Sequence, residues 1–175
     1  MHDDDRGAAL ATSHLIGHGH RRVGFIGRAP HLASMIARLA GYRRALVEAG
    51  IEPDPALVVA DIDAPDDVVA GLDLLRSRGV DSVFFADPRT SIAGIPAIQS
   101  EPLPVVGFGD FPLANLLQPS FTVIDQDPTR MGSLAVAEIL SRLARGQNGR
   151  RPPETTRLPV RLIERDSCRF QSAAP

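Results

Sequence analysis

The sequence has no lysine, no tryptophan, one tyrosine and one cysteine, Cys168. A single cysteine excludes an intrachain disulfide framework and is typical of a protein kept in a reducing compartment. No apolar run approaches the length needed to cross a bilayer. The N-terminus, M-H-D-D-D-R-G, is acidic where a secretory signal would be basic and then apolar. We therefore expect a cytoplasmic protein without membrane association.

An excess of charge of either sign is also missing. The 19 basic residues, all of them arginine, are balanced by 21 acidic residues, which gives a net charge of −2 at pH 7. Composition alone therefore does not indicate a protein that binds polyanions. The 175 residues are enough to enclose one hydrophobic core.

The most informative stretch is residues 19–50. The apolar run Val23–Ile26 predicts a buried strand, and Ser34 is suited to cap the helix that follows. Apolar residues then recur at helical spacing as far as Gly50, which lies where a glycine ends many helices. A strand, a loop and a helix in this order predict the first half of a βαβ unit. Sheets built from such units bind ligands at the carboxyl ends of their strands.

The remaining elements follow the same alternation. Further strands are predicted at 57–60, 82–86, 105–108, 122–124 and 156–163, and helices at 7–18, 35–49, 66–78 and 128–145. Solid apolar strands that alternate with helices predict an α/β fold, in which a parallel sheet carries helices on both faces.

Residues 87–103 interrupt this pattern. The interval is long enough for a crossover between parallel strands. It contains Pro88, Gly94, Pro96 and Pro102, however, which leave little room for a helix. We expect a shortened helix or a loop here.

Three motifs lie in order along residues 7–168. They are H-L-I-G-H-G-H-R-R-V-G-F-I-G with R-L-A-G-Y-R-R-A-L-V-E-A-G, then V-V-G-F-G-D-F-P-L-A-N-L-L-Q-P-S-F-T-V-I-D-Q-D, and finally L-P-V-R-L-I-E-R-D-S-C. Together they resemble the effector-binding region of the lactose/galactose-repressor (LacI/GalR) family of bacterial transcription regulators. The resemblance implies the second subdomain of a two-lobed, periplasmic-binding-protein-like fold. It also implies a sugar or nucleoside-like effector bound between the lobes, with no cofactor and no enzymatic activity.

The resemblance divides the chain into three parts. Residues 1–127 correspond to the core of the second effector-binding subdomain, and residues 128–146 to a crossing helix that packs on the first subdomain. Residues 147–175 form a linker, a return strand and a frayed tail. We expect operator DNA to be a partner only through the family's helix-turn-helix module, which this chain lacks.

The crossing helix carries a broad apolar stripe that covers about half of its circumference. Its members are Met131, Ala135, Val136, Ile139, Leu140 and Leu143. In the resembled family a first subdomain covers this stripe. Because a bare patch of this kind is rare on a soluble monomer, we expect the helix either to fold back on its own sheet or to pair with a second copy. We favour the homodimer.

Four polar residues are candidate ligand contacts. Arg38, in R-L-A-G-Y, lies beside the apolar stripe of its helix. From there its planar guanidinium would reach toward the loop after the first strand and bind the hydroxyls or the carboxylate of a ligand. The alternative is a solvated helix arginine. Asp87 and Asp110 follow two strands, and Gln126 lies in a crossing segment, where a hinge or a solvated loop is the alternative.

The motif around Asp110 departs from the family pattern. In the family, the first of two acidic or amide residues contacts the ligand, and that position is Gly109 here. Asp110 therefore either contacts the ligand or caps the following turn at Pro112.

Metal and nucleophile chemistry have weak signals. His14, His18 and His20 lie close in sequence, but no cysteine joins them there and no known metal-ligand spacing is present. Cys168 has no histidine nearby in sequence. There is also no G-x-S-x-G motif, P-loop or dinucleotide fingerprint. We expect no metal site and no catalytic residue.

Two other classes of function remain open. On a flavodoxin-like sheet, Asp87 and Asp110 would form a carboxylate cluster suited to an enzyme or a phospho-acceptor domain. A receiver domain needs a lysine opposite its acidic pair, however, and the sequence has none. A sugar-binding protein without a regulatory role is disfavoured because a signal peptide is not apparent.

Overall fold

A computed structural model describes residues 3–145 and 155–169. Within these ranges the helices and strands follow the predicted order, except that a full helix lies within residues 87–103. The helices are α1 (Asp4–Gly17), α2 (Ala33–Glu48), α3 (Pro65–Ser77), α4 (Pro88–Ser100) and α5 (Pro128–Arg145). The strands are β1 (Val23–Ile26), β2 (Val58–Val59), β3 (Ser82–Phe85), β4 (Val105–Phe108), β5 (Val123–Asp125) and β6 (Arg161–Ile163).

The strands of the described ranges form one sheet in the order β2-β1-β3-β4-β5-β6. Pairing is parallel from β2 through β5, and β6 alone runs antiparallel to its neighbour β5. The predicted α/β fold with a mainly parallel sheet is therefore confirmed.

Side chains of alternate strand residues supply two separate cores. Phe25, Phe84 and Phe108 face α1 and α2 on one side of the sheet. Ile26 and Phe85 face α3 and α4 on the other side. Successive side chains of a strand point to opposite faces, so strands that are apolar throughout are covered on both sides, as expected.

The two helices on the first face approach each other closely at Gly41. A Cβ atom at this position would lie 2.0 Å from the carbonyl oxygen of Asp5 and 3.1 Å from the Cβ of Ala8. Only glycine fits between these backbones. The glycine of R-L-A-G-Y therefore fixes how closely α2 packs on α1.

The prediction for residues 87–103 is wrong, because α4 extends over 13 residues. The N-terminus of α4 is well capped. Asp87 caps it, since its Oδ1 accepts the backbone N–H groups of Arg89 at 2.9 Å and Thr90 at 3.1 Å. Pro88 occupies the first turn, where a missing N–H costs no helical hydrogen bond.

A neighbouring helix supplies donors to the C-terminal end of α4, beyond Pro96. Arg76 of α3 donates from Nη2 to the carbonyl oxygens of Ala97 at 3.0 Å and Glu101 at 2.6 Å. Carbonyls at a helix end need such partners. The proline interrupts one internal bond but does not end the helix.

Some predicted boundaries also shift. Helix α2 begins at Ala33, and its N-cap is Leu32, which has no side-chain cap, so Ser34 lies inside the first turn instead of capping it. Gly50 follows the end of α2 with φ +71°, as expected of a terminating glycine. The predicted linker at 147–153 and the tail after Arg169 lie outside the described residues. No helix of the described part is long and apolar enough to cross a membrane.

Helix α5 spans Pro128–Arg145 as predicted, and its apolar side chains are exposed. The exposed fraction ranges from 44% at Leu134 to 72% at Leu143. An open cleft of about 650 Å³ lies between α5 and residues 155–158. The helix therefore does not bury its stripe on the sheet of the described chain.

We expect Pro96→Ala to raise the free energy of unfolding by about 2 kcal/mol. Alanine restores an N–H donor toward the Ile92 carbonyl and removes a ring clash, although some flexibility of the unfolded chain returns. Urea denaturation measures the change. Gln99→Ala, at another exposed position of the same helix, is the control and should change stability by less than about 0.5 kcal/mol. A less stable Pro96→Ala protein would contradict this account of α4.

Candidate functional site

The loops that follow β1, β3, β4 and β5 leave the sheet at one edge, because these four strands are parallel. We call it the carboxyl edge. The four predicted ligand residues Arg38, Asp87, Asp110 and Gln126 belong to this edge or approach it. In open α/β sheets this is where ligands bind.

Backbone strain is concentrated on the same loops. Among the described residues, the non-glycine residues with positive φ are Ala29 (47°), Leu113 (70°) and Asp127 (47°). They follow β1, β4 and β5, respectively. A left-handed conformation costs a residue with a side chain about 1 kcal/mol or more, and such strain is common at binding sites. It marks the carboxyl edge as a candidate site independently of any motif.

Three of these loops meet at Gly109. Its φ is +89°, and a Cβ atom there would lie 2.6 Å from Cγ of Pro88 and 3.2 Å from Oε1 of Gln126. An acidic side chain would not fit at this position without moving Pro88. The glycine at 109, where the family has an acidic or amide residue, therefore goes together with the proline at 88. It also leaves the half-buried amide of Gln126 facing the point where the loops meet.

Arg38 is buried, with 8% of its surface exposed, so the alternative of a solvated helix arginine is wrong. Its Nε and Nη2 donate to Oδ1 of Asp4 at 2.8 and 2.7 Å, and Nη1 donates to the carbonyl oxygen of Ala86 at 2.6 Å. The guanidinium also lies 3.8 Å from the centre of the Phe108 ring. The guanidinium therefore donates to Asp4 and to the Ala86 carbonyl, and not toward the loop after β1. Asp4 is a partner that sequence reasoning missed.

Asp87 and Asp110 have separate partners. Besides capping α4, Asp87 accepts the Thr90 hydroxyl at 3.3 Å. Asp110 accepts the N–H of Phe111 at 2.9 Å, which is the expected turn contact, and forms a two-point ion pair with Arg165 at 2.8 and 3.1 Å. Neither arrangement leaves a bare carboxylate cluster.

Gln126 follows the carboxylate of Asp125, which pairs with Arg161 of β6 at 2.9 Å. Burial acts to raise the pKa of Asp125, but hydrogen bonds from the Asp127 amide and from Arg161 outweigh it and lower the pKa below its usual value. Asp125 is therefore ionised at neutral pH and joins the last two strands beside the candidate site.

A cleft of about 420 Å³ opens near the same edge, between the loops after β1 and β2 and the first turns of α4. Its lining includes Arg28, Asp63, Arg89 and Thr90. The Nε of Arg28 is buried and has no hydrogen-bond partner within the described part of the chain. Sequence reasoning missed this cleft, although Arg28 directly after a strand end was an available signal.

At the opposite edge, three residues for which no functional role was predicted come together: His14, His18 and Cys168. The thiol of Cys168 lies 3.0 Å from Nε2 of His14 and 3.7 Å from Nε2 of His18. The two histidines are 154 and 150 residues away from Cys168 along the chain, so spacing in the sequence did not indicate these contacts. His20 instead lies 3.7 Å from Asp81.

Comparisons with known proteins agree with this fold. Residues 12–168 match the family model of a periplasmic binding protein-like domain, so the chain belongs to that family. More particularly, it is an effector-binding region of the LacI/GalR type, as its ordered motifs and relatives show.

Two curated relatives are transcription regulators. The chain is 34% identical over 169 residues to the regulator CelR of Thermobifida fusca, a match that covers 92% of this chain and 47% of CelR. It is 33% identical over 147 residues to the ribose operon repressor of Haemophilus influenzae, covering 78% and 44%, respectively. A solved CelR–cellobiose complex superposes with a TM-score of 0.84 at 29% identity, over 95% of this chain and 52% of that one. The chain thus spans about half the length of these relatives.

We expect Asp4→Asn to lower the free energy of unfolding by about 3 kcal/mol. The change leaves the guanidinium of Arg38 buried without its counter-charge, which is costly in an interior. Chemical denaturation followed by circular dichroism measures the loss. Asp5→Asn is the matched control, since Asp5 pairs with Arg44 at 2.6 Å on the surface, where such pairs contribute at most about 1 kcal/mol. Equal losses for the two variants would contradict the role given to the buried pair.

Proposed function

We propose that this chain is the effector-sensing part of a cytoplasmic LacI/GalR-type transcription regulator, and that its carboxyl edge binds a sugar or nucleoside-like molecule. The observation that carries the proposal is the meeting of three loops at Gly109, beside strained backbone and the half-buried Gln126. Relatives named for ribose and solved with cellobiose support a polyhydroxylated ligand.

Each predicted residue receives a role in this proposal. Gln126 presents an amide that both donates and accepts, which suits ligand hydroxyls. Asp87 offers the lone pairs that its helix cap leaves free, and Asp110 orients Arg165 at the rim of the site. Arg38 forms the base of the site, where its contacts with the Ala86 carbonyl and the Phe108 ring fix the ends of β3 and β4.

The proposal is a binding function without catalysis. The Asp87 carboxylate is engaged by backbone amides and the Asp110 carboxylate by an arginine. These contacts suit both carboxylates to holding the loops of the site in place. Regulation would follow from different affinities of the effector for two arrangements of the whole regulator. Contact with operator DNA would belong to a helix-turn-helix module outside this chain.

We expect weak binding of at least one of three probes: ribose, cellobiose and adenosine. One lobe supplies about half of a two-lobed site, so dissociation constants near the millimolar range are expected. Titration calorimetry on the chain measures the affinity, and Gln126→Ala should weaken binding by about three- to tenfold through the loss of one hydrogen bond. Gln99→Ala, on the exposed side of α4, is the control and should leave the affinity unchanged. Binding that is insensitive to Gln126→Ala would contradict the assigned site.

Helix α5 provides the proposed contact with another lobe or another copy. Its exposed stripe is wider than a surface helix of a monomer normally shows. In the resembled family the helix at the position of α4 helps to pair two subunits, and α4 is complete here. The exposure of α5 nevertheless supports self-association of this chain through α5.

We expect sedimentation to show a dimer whose population rises with concentration, and Ile139→Asp to convert it to a monomer without unfolding. A carboxylate in the middle of a buried apolar contact is strongly unfavourable. Ile92→Asp is the control, because Ile92 is an exposed apolar residue on a different helix, α4. If the unmutated chain stays monomeric at every concentration, pairing through α5 is wrong.

A further inference from the structure

The side chains of His14, His18 and Cys168 converge at the edge of the sheet opposite the carboxyl edge. One ligand atom from each residue lies within 4.8 Å of the other two. His14 lies on the last turn of α1 and His18 is its C-cap, four residues later, a spacing that places the two side chains on one side of the helix end. Their rings meet edge to face, with centroids 4.7 Å apart.

The sulfur of Cys168 is held in place from its other side. The hydroxyl of Thr122 lies 3.5 Å from Sγ, and the carbonyl oxygen of Arg165 lies 3.6 Å away. Cys168 is buried, His14 is half-buried and His18 is exposed. The cluster therefore has a fixed sulfur at its base and an opening to solvent at His18.

We propose that these three residues bind a divalent zinc-class transition-metal ion. In a tetrahedral site with Zn–S near 2.3 Å and Zn–N near 2.0–2.1 Å, a sulfur and a nitrogen lie about 3.6 Å apart. The two sulfur–nitrogen distances here, 3.0 and 3.7 Å, bracket that value. Thiolate and imidazole ligands select borderline or soft metals over magnesium and calcium.

Metal binding requires the thiol to lose its proton. His14 and His18 offer ring nitrogens, which coordinate a metal ion in their neutral form. Burial raises the pKa of the Cys168 thiol, so the metal must displace one proton to solvent as the Zn–S bond forms. Glu164 adds negative charge nearby, and Arg169, which is bonded to Glu164, partly offsets it.

The fourth position would be taken by water. A site with three protein ligands keeps such a position open. A bound metal would join the end of α1 to the segment after β6, since His14 and His18 belong to the first and Cys168 to the second. Metal bound only to the folded chain also raises its stability by mass action.

The test is a cobalt titration of the full chain prepared without a polyhistidine tag. We expect a thiolate-to-cobalt charge-transfer absorption that saturates at one equivalent and disappears when Zn²⁺ displaces the cobalt. Mg²⁺ should not displace it. Cys168→Ser should abolish this absorption. His18→Gln should weaken binding more than about a hundredfold, because the loss of even an outer-shell partner costs 10- to 100-fold.

Matched histidine variants separate this site from adventitious binding. His20→Gln and His31→Gln remove histidines outside the cluster and should leave the cobalt affinity unchanged. Zn²⁺ should raise the melting temperature of the unmutated chain and of both controls, but not that of His18→Gln, whose exposed side chain can be replaced without disturbing the fold. Absence of the charge-transfer absorption at saturating cobalt, or equal affinities for the His18→Gln and His20→Gln variants, would overturn the proposal.

Discussion

The buried ion pair between Asp4 and Arg38 is the constraint on which the carboxyl edge depends. Each side chain is at least nine-tenths inaccessible to solvent, and a charge left alone in such surroundings costs several kcal/mol. The pair therefore forms only when α1 and α2 are docked, and Gly41 makes this docking possible by admitting the Asp5 carbonyl. Because Arg38 also binds the Ala86 carbonyl and lies over Phe108, the same docking fixes where β3 and β4 end. Two of the three segments that converge at Gly109 start from these strand ends, and the third, with Gln126, follows β5.

Local sequence signals were sufficient to predict most helices and strands. They were insufficient where an element is stabilised by groups that are distant in sequence. The strands Val23–Ile26 and Val105–Phe108 and the helix Pro128–Arg145 have the predicted bounds, because apolar runs and flanking Gly or Pro residues are local features. Helix α4 was missed because proline rules count only the helix's own backbone. Its ends are satisfied by the Asp87 side chain and by Arg76 from another helix, which no local pattern includes.

The location of the candidate site residues at the carboxyl edge could be predicted from the sequence, but the partners of their side chains could not. Parallel topology alone brings Asp87, Asp110 and Gln126 to one edge. Their partners come from far along the chain, however: Arg165 is 55 residues from Asp110, and Asp4 is 34 residues from Arg38. Sequence spacing carries no information about such pairs. Arg38 was therefore interpreted from the sequence as a ligand contact or as a solvated residue, without the buried structural role that it has in the structure.

Helix α1 connects the two edges of the sheet. Asp4 lies in its first turn, at the carboxyl edge, and His14 and His18 lie at its far end, beside Cys168. A helix of 14 residues spans about 21 Å, which is long enough to cross the sheet from edge to edge. A ligand at either end that binds only the docked helix stabilises the docked state as a whole. The Asp4–Arg38 pair and the Cys168 cluster therefore act on one equilibrium, the docking of α1, although they lie at opposite ends of the strands.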